Sequence, residues 1–208
     1  MALDLAALLA PSRSALVLQE VQNGVVGSPS VLPALAEAAA EIGLVPNCAR
    51  LAAAARDAGV PVIHCTAETR DDGRGANRNA RLFAGVRKST VHLSPGSDAV
   101  QVPDEIGVDP RDIMLPRYHG LGPMTGTQLD SILRNLGVTT IVGVGVSVNI
   151  GMTSLAFDAV NRGYQIVLAR DAIAGVPPEY AQSVVDNTLA LVATLTTTDE
   201  IVEAWRPS

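Results

Sequence analysis

Three short polar segments each follow an apolar run, and together they carry groups suited to acid–base and anion-binding chemistry. The segments are 19–23 with Glu20, 116–119 with Arg117, and 145–151. A glutamate carboxyl group can donate or accept a proton during a reaction. The guanidinium of Arg117 keeps its charge, so it can hold a carboxylate or stabilise developing negative charge but cannot transfer protons. These residue types predict a site for a small organic anion.

The elements that must bring these segments together are predicted from hydrophobic periodicity. Strands are predicted at 15–18, 61–65, 113–115, 139–144, 165–169 and 193–195, with helices at 32–58, 127–136, 149–162, 178–190 and 199–205. Pro46 is expected to kink or divide the first of these helices. Alternating strands and helices predict one α/β domain over residues 1–208, with a doubly wound, Rossmann-like parallel sheet of six strands and helices on both faces. Ligands bind such sheets at the carboxyl ends of the strands, near the switch in strand order, where all three segments fall.

Composition excludes several classes of protein. Hydrophobic residues make up 48% of the 208 residues and aromatic residues 3%, so the interior is built from small aliphatic side chains. A net charge of −6 argues against a nucleic-acid partner. The segment 1–14 lacks a basic region before its apolar stretch, which indicates a docking helix and not a signal peptide. No apolar run is long enough to span a bilayer, so we expect a cytoplasmic protein without a membrane partner.

The long irregular segment 66–107 is expected to be functional or to make oligomer contacts. It could recognise an anionic ligand or form a solvated face, because it holds six of the fifteen basic residues: Arg70, Arg74, Arg78, Arg81, Arg87 and Lys88. His119 follows Arg117 by two positions and could line the pocket and supply a proton, or lie on the surface as a capping histidine. Cys48 and Cys65 show neither metal-ligand spacing nor a disulfide framework, and no metal or other cofactor is expected.

The order and spacing of these segments resemble the isochorismatase-like superfamily of cysteine hydrolases, which includes nicotinamidases and carbamoylsarcosine amidohydrolases. The resemblance runs from Ser14 to about Leu195 and is carried by Glu20 with Gln22 and Asn23 after the first strand. It is carried further by the stretch GVSVNIGMTSLAFDAVNRGYQIVLARDA. It implies the fold predicted above, a small-molecule substrate, and a homodimer or a higher even-numbered oligomer.

The resemblance also locates a triad that this sequence does not keep. Family members typically carry an Asp, a Lys and a Cys, and Glu20, Arg117 and Gly151 stand at those positions. Gly151 cannot form a covalent intermediate, because it has no side chain. The isochorismatases proper resemble this chain in having glycine there, and they protonate a vinyl ether without a thiol. The resemblance further implies a cis peptide at Val146–Ser147 beside an oxyanion site.

Three interpretations remain open from the sequence. The first is a hydrolase without a cysteine nucleophile, acting on a small organic acid or related metabolite. In it Glu20 is the acid or base, Arg117 clamps charge, and the backbone around Val146 to Gly151 forms an anion cradle. The substrate contacts are Gln22, Val146, Ser147 and His119. The second is a catalytically silent relative that binds a metabolite or serves as a partner subunit, with Glu20 and Arg117 as a structural ion pair. The third moves the nucleophile to Cys65.

Overall fold

Residues 4–206 are described by the computed structural model, and six strands within them form one sheet with parallel neighbours. The strands are β1 (Ser14–Gln19), β2 (Val62–Cys65), β3 (Ile113–Met114), β4 (Thr140–Val146), β5 (Gln165–Ala174) and β6 (Thr194–Thr196). Their order across the sheet is β3-β2-β1-β4-β5-β6, so the direction of winding reverses between β1 and β4. The predicted doubly wound α/β fold is confirmed, and the crevice at the reversal is where such folds bind ligands.

Helices connect the strands and cover both faces of the sheet. They are α1 (Leu5–Leu8), α2 (Asn23–Val26), α3 (Pro33–Glu41), α4 (Leu44–Asp57), α5 (Arg81–Val86), α6 (Leu129–Asn135), α7 (Thr153–Asn161), α8 (Pro178–Asn187) and α9 (Thr198–Ala204). A π-helical turn spans Val148–Met152, and 3-10 turns span Pro11–Arg13, Asp98–Val100 and Leu189–Leu191. No helix within residues 4–206 has both the length and the apolar character needed to cross a membrane.

The core lies in two layers because successive side chains of a strand point to opposite faces. On β1, Leu16 and Leu18 pack with α3, α4 and α9, whereas Val17 packs with α6, α7 and α8. The predicted N-terminal helix is observed as α1, and the indole Nε1 of Trp205 donates to the carbonyl of Leu9 at 2.9 Å. Residues 1–3 of the predicted docking segment lie outside the described residues.

The division of the first predicted helix is at Gly43 and not at Pro46. Gly43 has φ +64°, a left-handed conformation that glycine adopts without steric cost, and it separates α3 from α4. Pro46 lies in the first turn of α4, where its missing N–H removes no helical hydrogen bond. The prediction that Pro46 kinks or divides the helix is therefore wrong.

Two boundaries near the site also differ from the sequence prediction. β5 continues five residues beyond its predicted end at Ala169, because the polar residue Asp171 is paired: its Oδ1 accepts from the backbone N–H of Thr198 at 2.9 Å. The helix predicted to start at Asn149 begins instead with the π-helical turn and becomes α-helical at Thr153. Both differences place more ordered backbone around the carboxyl ends of β4 and β5.

Candidate active site

A cavity of about 520 Å³ opens at the carboxyl edge of the sheet, beside the crevice between β1 and β4. Its polar floor contains Glu20 after β1, Arg117 after β3, and Ser147 and Gly151 after β4. These residues are far apart in sequence and meet only because parallel strands end at one edge. The structure thus brings together the three triad positions that the resemblance predicted.

The wall of the cavity is largely apolar, and the irregular segment 66–107 supplies much of it, including α5. The apolar side chains that line it are Val25, Val31, Leu32, Leu35, Leu82, Phe83, Val86, Val91, Leu93, Leu121 and Ile150. The formal charges nearly balance, with Glu20, Glu68, Asp71 and Asp72 against Arg70, Arg87 and Arg117. Of the basic residues in the segment, Arg70 and Arg87 line the cavity, and Arg70 pairs with Asp72. The cavity is therefore amphipathic and not strongly cationic.

Glu20 stands at the turn out of β1 with a backbone conformation that is unusual for its type. Its φ is +53°, which costs a non-glycine residue on the order of 1–2 kcal/mol. Its N–H donates to the carbonyl of Cys65 at 2.8 Å, which fixes the turn against β2. On the side chain, Oε1 accepts from Nε2 of Gln19 at 3.1 Å and from Nη2 of Arg117. Oε2 accepts no hydrogen bond from residues 4–206, so one carboxyl oxygen is left for the cavity.

The environment of Glu20 favours the protonated form more than water does. Burial raises the pKa of Glu20 above its ordinary value, and the charge and hydrogen bond of Arg117 oppose that rise. The side chain remains 18% exposed through the cavity, so the carboxyl group is accessible to a small molecule. Glu20 therefore both pairs with Arg117 and faces the cavity, which the sequence had presented as alternatives.

Hydrogen bonds restrain both the backbone and the guanidinium group of Arg117. Its N–H donates to the carbonyl of Thr66 at 2.9 Å and its carbonyl accepts from the N–H of Glu68 at 2.9 Å, which extends the β2–β3 pairing beyond the strands. Nε donates to the carbonyl of Gly122 at 3.2 Å and Nη2 to Glu20. Nη1 has no partner within the part of the chain that is described. This nitrogen is the donor that Arg117 can offer a ligand.

Gln22 does not line the cavity and is completely buried. Its Oε1 accepts from the N–H of Ala67 at 2.7 Å and its Nε2 donates to the carbonyl of Ala67 at 2.9 Å. Ala67 forms the isolated bridge with Arg117. The structure therefore corrects the predicted substrate contact: both polar groups of Gln22 are committed to the backbone that positions Arg117.

Of the other three residues predicted to contact substrate, Val146 has a buried side chain, whereas Ser147 and His119 line the cavity. Val146 is fully buried in β4, where it pairs with Ala174, and its side chain does not reach the cavity. Ser147 and His119 do line the cavity, and their substrate contacts remain predictions. The Val146–Ser147 peptide is cis, as the resemblance implied. The contact predicted for Val146 involves its backbone beside this peptide, so that contact also remains a prediction.

Comparison with known proteins agrees with this geometry. The isochorismatase domain matches residues 14–200 of the chain. The chain belongs to the isochorismatase family. A ureidoacrylate amidohydrolase from Methylobacterium radiotolerans is 30% identical over 185 residues, which cover 82% of this chain and 70% of that protein.

Two solved structures share the fold over nearly their whole length. A cysteine hydrolase from Pseudomonas syringae pv. phaseolicola has a TM-score of 0.80 at 24% identity, covering 94% of this chain and 93% of its own. An isochorismatase family protein from Burkholderia thailandensis has a TM-score of 0.75 at 26% identity, covering 93% and 96%. The ureidoacrylate amidohydrolase is a hydrolase, and membership in the isochorismatase family supports an enzymatic nature for this chain.

Neither cysteine of this isochorismatase-family chain is placed to act as a nucleophile in the cavity. Cys65 is buried and does not line the cavity, and burial raises the pKa of its thiol to about 12 against the opposing effect of Arg117. Cys48 is buried in the opposite layer of the core, and burial also raises its pKa. The interpretation that moves the nucleophile to Cys65 therefore lacks a reactive, accessible thiol.

Within residues 4–206, no group of three or more His, Cys, Asp or Glu side chains could hold a metal ion. The single lysine of the sequence, Lys88, does not line the cavity. The charged groups at the floor of the cavity are therefore Glu20 and Arg117. Any chemistry there depends on this pair and on the backbone of the turn after β4.

Sequence reasoning missed Gln19, which the structure places beside both Glu20 and Gly151. Gln19 is the last residue of β1 and is fully buried. The available signal was an amide side chain at the end of a strand whose other central residues are Ala, Leu and Val. Burial of an amide is costly unless it is hydrogen-bonded, so such a residue needs a structural or functional reason.

Proposed function

We propose that the protein is an isochorismatase-family hydrolase that acts on a small organic acid or a related metabolite without a thiol nucleophile. Glu20 is its general acid and base, and Arg117 holds Glu20 and the substrate. The observation that carries the proposal is the unequal use of the two carboxyl oxygens of Glu20. Among residues 4–206, the other ion pair in the lining is Arg70 with Asp72, which lies in segment 66–107 and not at a strand end.

The hydrogen bonds to Glu20 determine which oxygen carries its proton. Oε1 already accepts from two N–H donors, those of Gln19 and Arg117, so a proton on that oxygen would face a donor. The proton of the neutral acid therefore belongs on Oε2, which has no partner among residues 4–206. Burial raises the pKa of Glu20, which increases the fraction of the acid form. An acid poised in this way suits the protonation of a substrate in the cavity.

The proposed reaction is an acid-catalysed hydrolysis of an enol-ether type of bond. Glu20 Oε2 gives its proton to the substrate, which becomes an electrophilic cation, and a water molecule adds to it. As water adds, one of its protons returns to Oε2 and a hemiketal forms. The hemiketal then breaks its bond to the original ether oxygen, which takes the proton of the new hydroxyl group and leaves as an alcohol, while the carbonyl group forms. Arg117 Nη1 holds a polar oxygen of the substrate. No covalent enzyme intermediate is required, which is consistent with Gly151.

The cavity limits the class of substrate. Its wall of aliphatic residues and Phe83 fits an apolar portion, while Glu20, Arg117 and Ser147 at the strand ends offer polar groups. Since the lining charges nearly balance and Arg117 is already paired with Glu20, the site suits at most one negative charge. We propose a small amphipathic monocarboxylic acid as the substrate class.

The same ion pair also supports a second candidate function. Arg117 is bonded to Glu20 and to the carbonyl of Gly122, so both side chains of the pair are restrained. A catalytically silent relative would use this pair only to bind a metabolite. The two functions differ in whether the proton of Glu20 is transferred.

The test compares Glu20→Gln with wild type on two panels of small carboxylic acids, one with enol-ether bonds and one with amide bonds. We expect cleavage of the enol ethers only. The amide keeps the shape of Glu20 without its proton transfer, so turnover should fall about 100-fold while KM changes little. Glu41→Gln, an exposed carboxyl group at the end of α3, is the control and should keep wild-type turnover. Equal turnover by Glu20→Gln and wild type would contradict the assignment.

The absence of thiol chemistry is tested separately. Cys65→Ala and Cys48→Ala should each retain turnover, because neither thiol lines the cavity. Loss of activity in Cys65→Ala at unchanged melting temperature would favour the displaced nucleophile. A homodimer or a higher even-numbered oligomer is the assembly we propose, and light scattering that gives a monomer mass at micromolar concentration would contradict it.

A further inference from the structure

The side chain of Gln19 occupies a special place between the acid and the position of the missing thiol. Its Nε2 lies 3.1 Å from Oε1 of Glu20. Its Oε1 is buried and has no hydrogen-bond partner among residues 4–206. An apolar side chain of similar size would avoid this unpaired buried oxygen, so stability alone does not explain an amide here.

The space around Gly151 is taken by the same amide. A Cβ atom built on Gly151 would lie 3.0 Å from Nε2 of Gln19 and 3.5 Å from its Cγ, and 2.9 Å from the carbonyl oxygen of Val146. These separations from Nε2 and the carbonyl are at or below the shortest that Cβ atoms tolerate. The amide of Gln19 and the carbonyl of Val146 thus together crowd the position that a Cβ atom at residue 151 would take.

We propose that Gln19 is a positioning residue that replaces the volume of a thiol at position 151 and holds Glu20 so that its proton resides on Oε2. This proposal rests on the proposed function, because it concerns the acid assigned there. The donor of Gln19 and that of Arg117 converge on one oxygen of Glu20, and a side chain at position 151 would press on the same amide. Gln19 and Gly151 are therefore coupled.

The neighbouring ionisable groups do not provide the same restraint. Arg117 donates to the same oxygen but also bonds Gly122, and the Cys65 thiol stays neutral with a pKa of about 12. His119 and Glu68 share the cavity but make no hydrogen bond to Glu20. The second donor on Oε1 is supplied by Gln19.

The first test measures the coupling by thermal unfolding, without any substrate. Gly151→Ala should lower the melting temperature by about 5 °C, since the added methyl group presses on both the amide of Gln19 and the carbonyl of Val146. In a Gln19→Ala background the same change should cost at least about 3 °C less, because the obstructing amide is gone. Gly143→Ala is the matched control: its Cβ would lie 3.0 Å from Cδ2 of Leu168 and does not approach Gln19. Its cost should be equal in both backgrounds.

The second test measures the pKa of Glu20 by carbon-13 NMR of labelled glutamate carboxyl groups, assigned with Glu20→Gln. Gln19→Met keeps the length of the side chain but removes the donor to the carboxylate. The pKa of Glu20 should rise by about 1, since a lost hydrogen bond disfavours the charged form. A purely structural Gln19 would leave this pKa unchanged.

The outcomes are distinct from those of the turnover experiment. Equal costs of Gly151→Ala in the two backgrounds would overturn the volume replacement, and an unchanged pKa in Gln19→Met would overturn the positioning role. Both readouts are independent of turnover. If Glu20→Gln hydrolyses the panel as fast as wild type while both readouts appear as expected, the proposed function fails and the coupling of Gln19 to Glu20 and Gly151 stands.

Discussion

Two carboxylate–guanidinium pairs lie at opposite edges of the sheet and use their oxygens differently. Glu20 follows β1 at the carboxyl edge and pairs with Arg117, whereas Asp112 precedes β3 at the amino edge and pairs with Arg56. Both oxygens of Asp112 are used: Oδ1 accepts from Arg56 Nε at 3.3 Å, and Oδ2 accepts from Arg56 Nη2 at 2.6 Å. Oδ2 also accepts from the N–H of Asp109 at 3.0 Å and lies 3.1 Å from Nε2 of His64. Glu20, in contrast, has no donor on Oε2 from residues 4–206.

The two carboxyl groups have opposite pKa shifts for this reason. Burial pushes the pKa of Asp112 upward, but hydrogen bonds from Arg56, Asp109 and His64 outweigh it and hold the pKa below its ordinary value. Burial dominates at Glu20, where the opposing effect comes from Arg117, and its pKa is raised. The difference between these two buried ion pairs is therefore the number of carboxylate oxygens that already accept hydrogen bonds. When both oxygens are occupied the pair is structural, and when one is free it can interact with a ligand.

The largest effect is expected from Asp112→Asn. The amide nitrogen of asparagine must face one of the donors that now surround both oxygens, and Arg56 would lose its charged partner. Because the Asp112 side chain is 1% exposed, we expect a loss of about 3 kcal/mol in the free energy of unfolding. Chemical denaturation measures it. Asp186→Asn, at the exposed pair with Arg170, should cost less than about 1 kcal/mol.

An intermediate effect on the free energy of unfolding is expected when the pH is lowered. Burial lowers the pKa of His64 below its ordinary 6.5, so the folded protein binds fewer protons than the unfolded chain just below that pH. The stability from His64 is present above pH 6.5 and is lost as pH falls toward its folded pKa. Asp112 has the same sign and loses its contribution as pH falls below 3.8. In a Glu20→Gln background, which removes the opposing pH dependence of Glu20, denaturation between pH 5 and 7 should show stability rising with pH, and adding His64→Gln should reduce that slope.

The smallest effect on stability is expected from Glu20→Gln. Glutamine Oε1 can still accept from Gln19 and Arg117, and its amide nitrogen can face the cavity. Since the pKa of Glu20 is raised, its ionisation lowers stability as pH rises above 4.5, and the variant loses that penalty. At pH 7 the free energy of unfolding should lie within about 1 kcal/mol of wild type. A loss in the free energy of unfolding as large as that expected for Asp112→Asn would show that the Glu20–Arg117 pair is structural. The two ion pairs would then not differ in role.

Most of the fold was predictable because apolar runs and helical periods mark buried elements directly. The segments at strand ends could be assigned to one site because parallel strands end at one edge. The prediction that Pro46 kinks or divides the helix was wrong because proline breaks a helix in its interior but not in its first turn. The second half of β5 was missed because Arg170 and Asp171 interrupt the apolar pattern, and their partners come from distant residues.

The contacts within the site were less predictable than its location. Gln22 was expected to meet substrate, yet it binds Ala67, 45 residues away. The pattern of residue types does not reveal whether an amide at a strand end turns to a ligand or to a neighbouring loop. Gln19 was missed for a related reason, because its importance depends on the space left by Gly151.

The division between the floor and the wall of the cavity has a consequence for how the protein can change. The acid and its restraints are built on strand ends and buried amides, whereas much of the wall belongs to the single irregular segment 66–107. Insertions and substitutions in that segment would alter the size and polarity of the cavity without disturbing the Glu20–Arg117 pair. If the proposed function holds, natural variation or laboratory selection could therefore exchange one substrate for another by changing one loop while the proposed acid is kept.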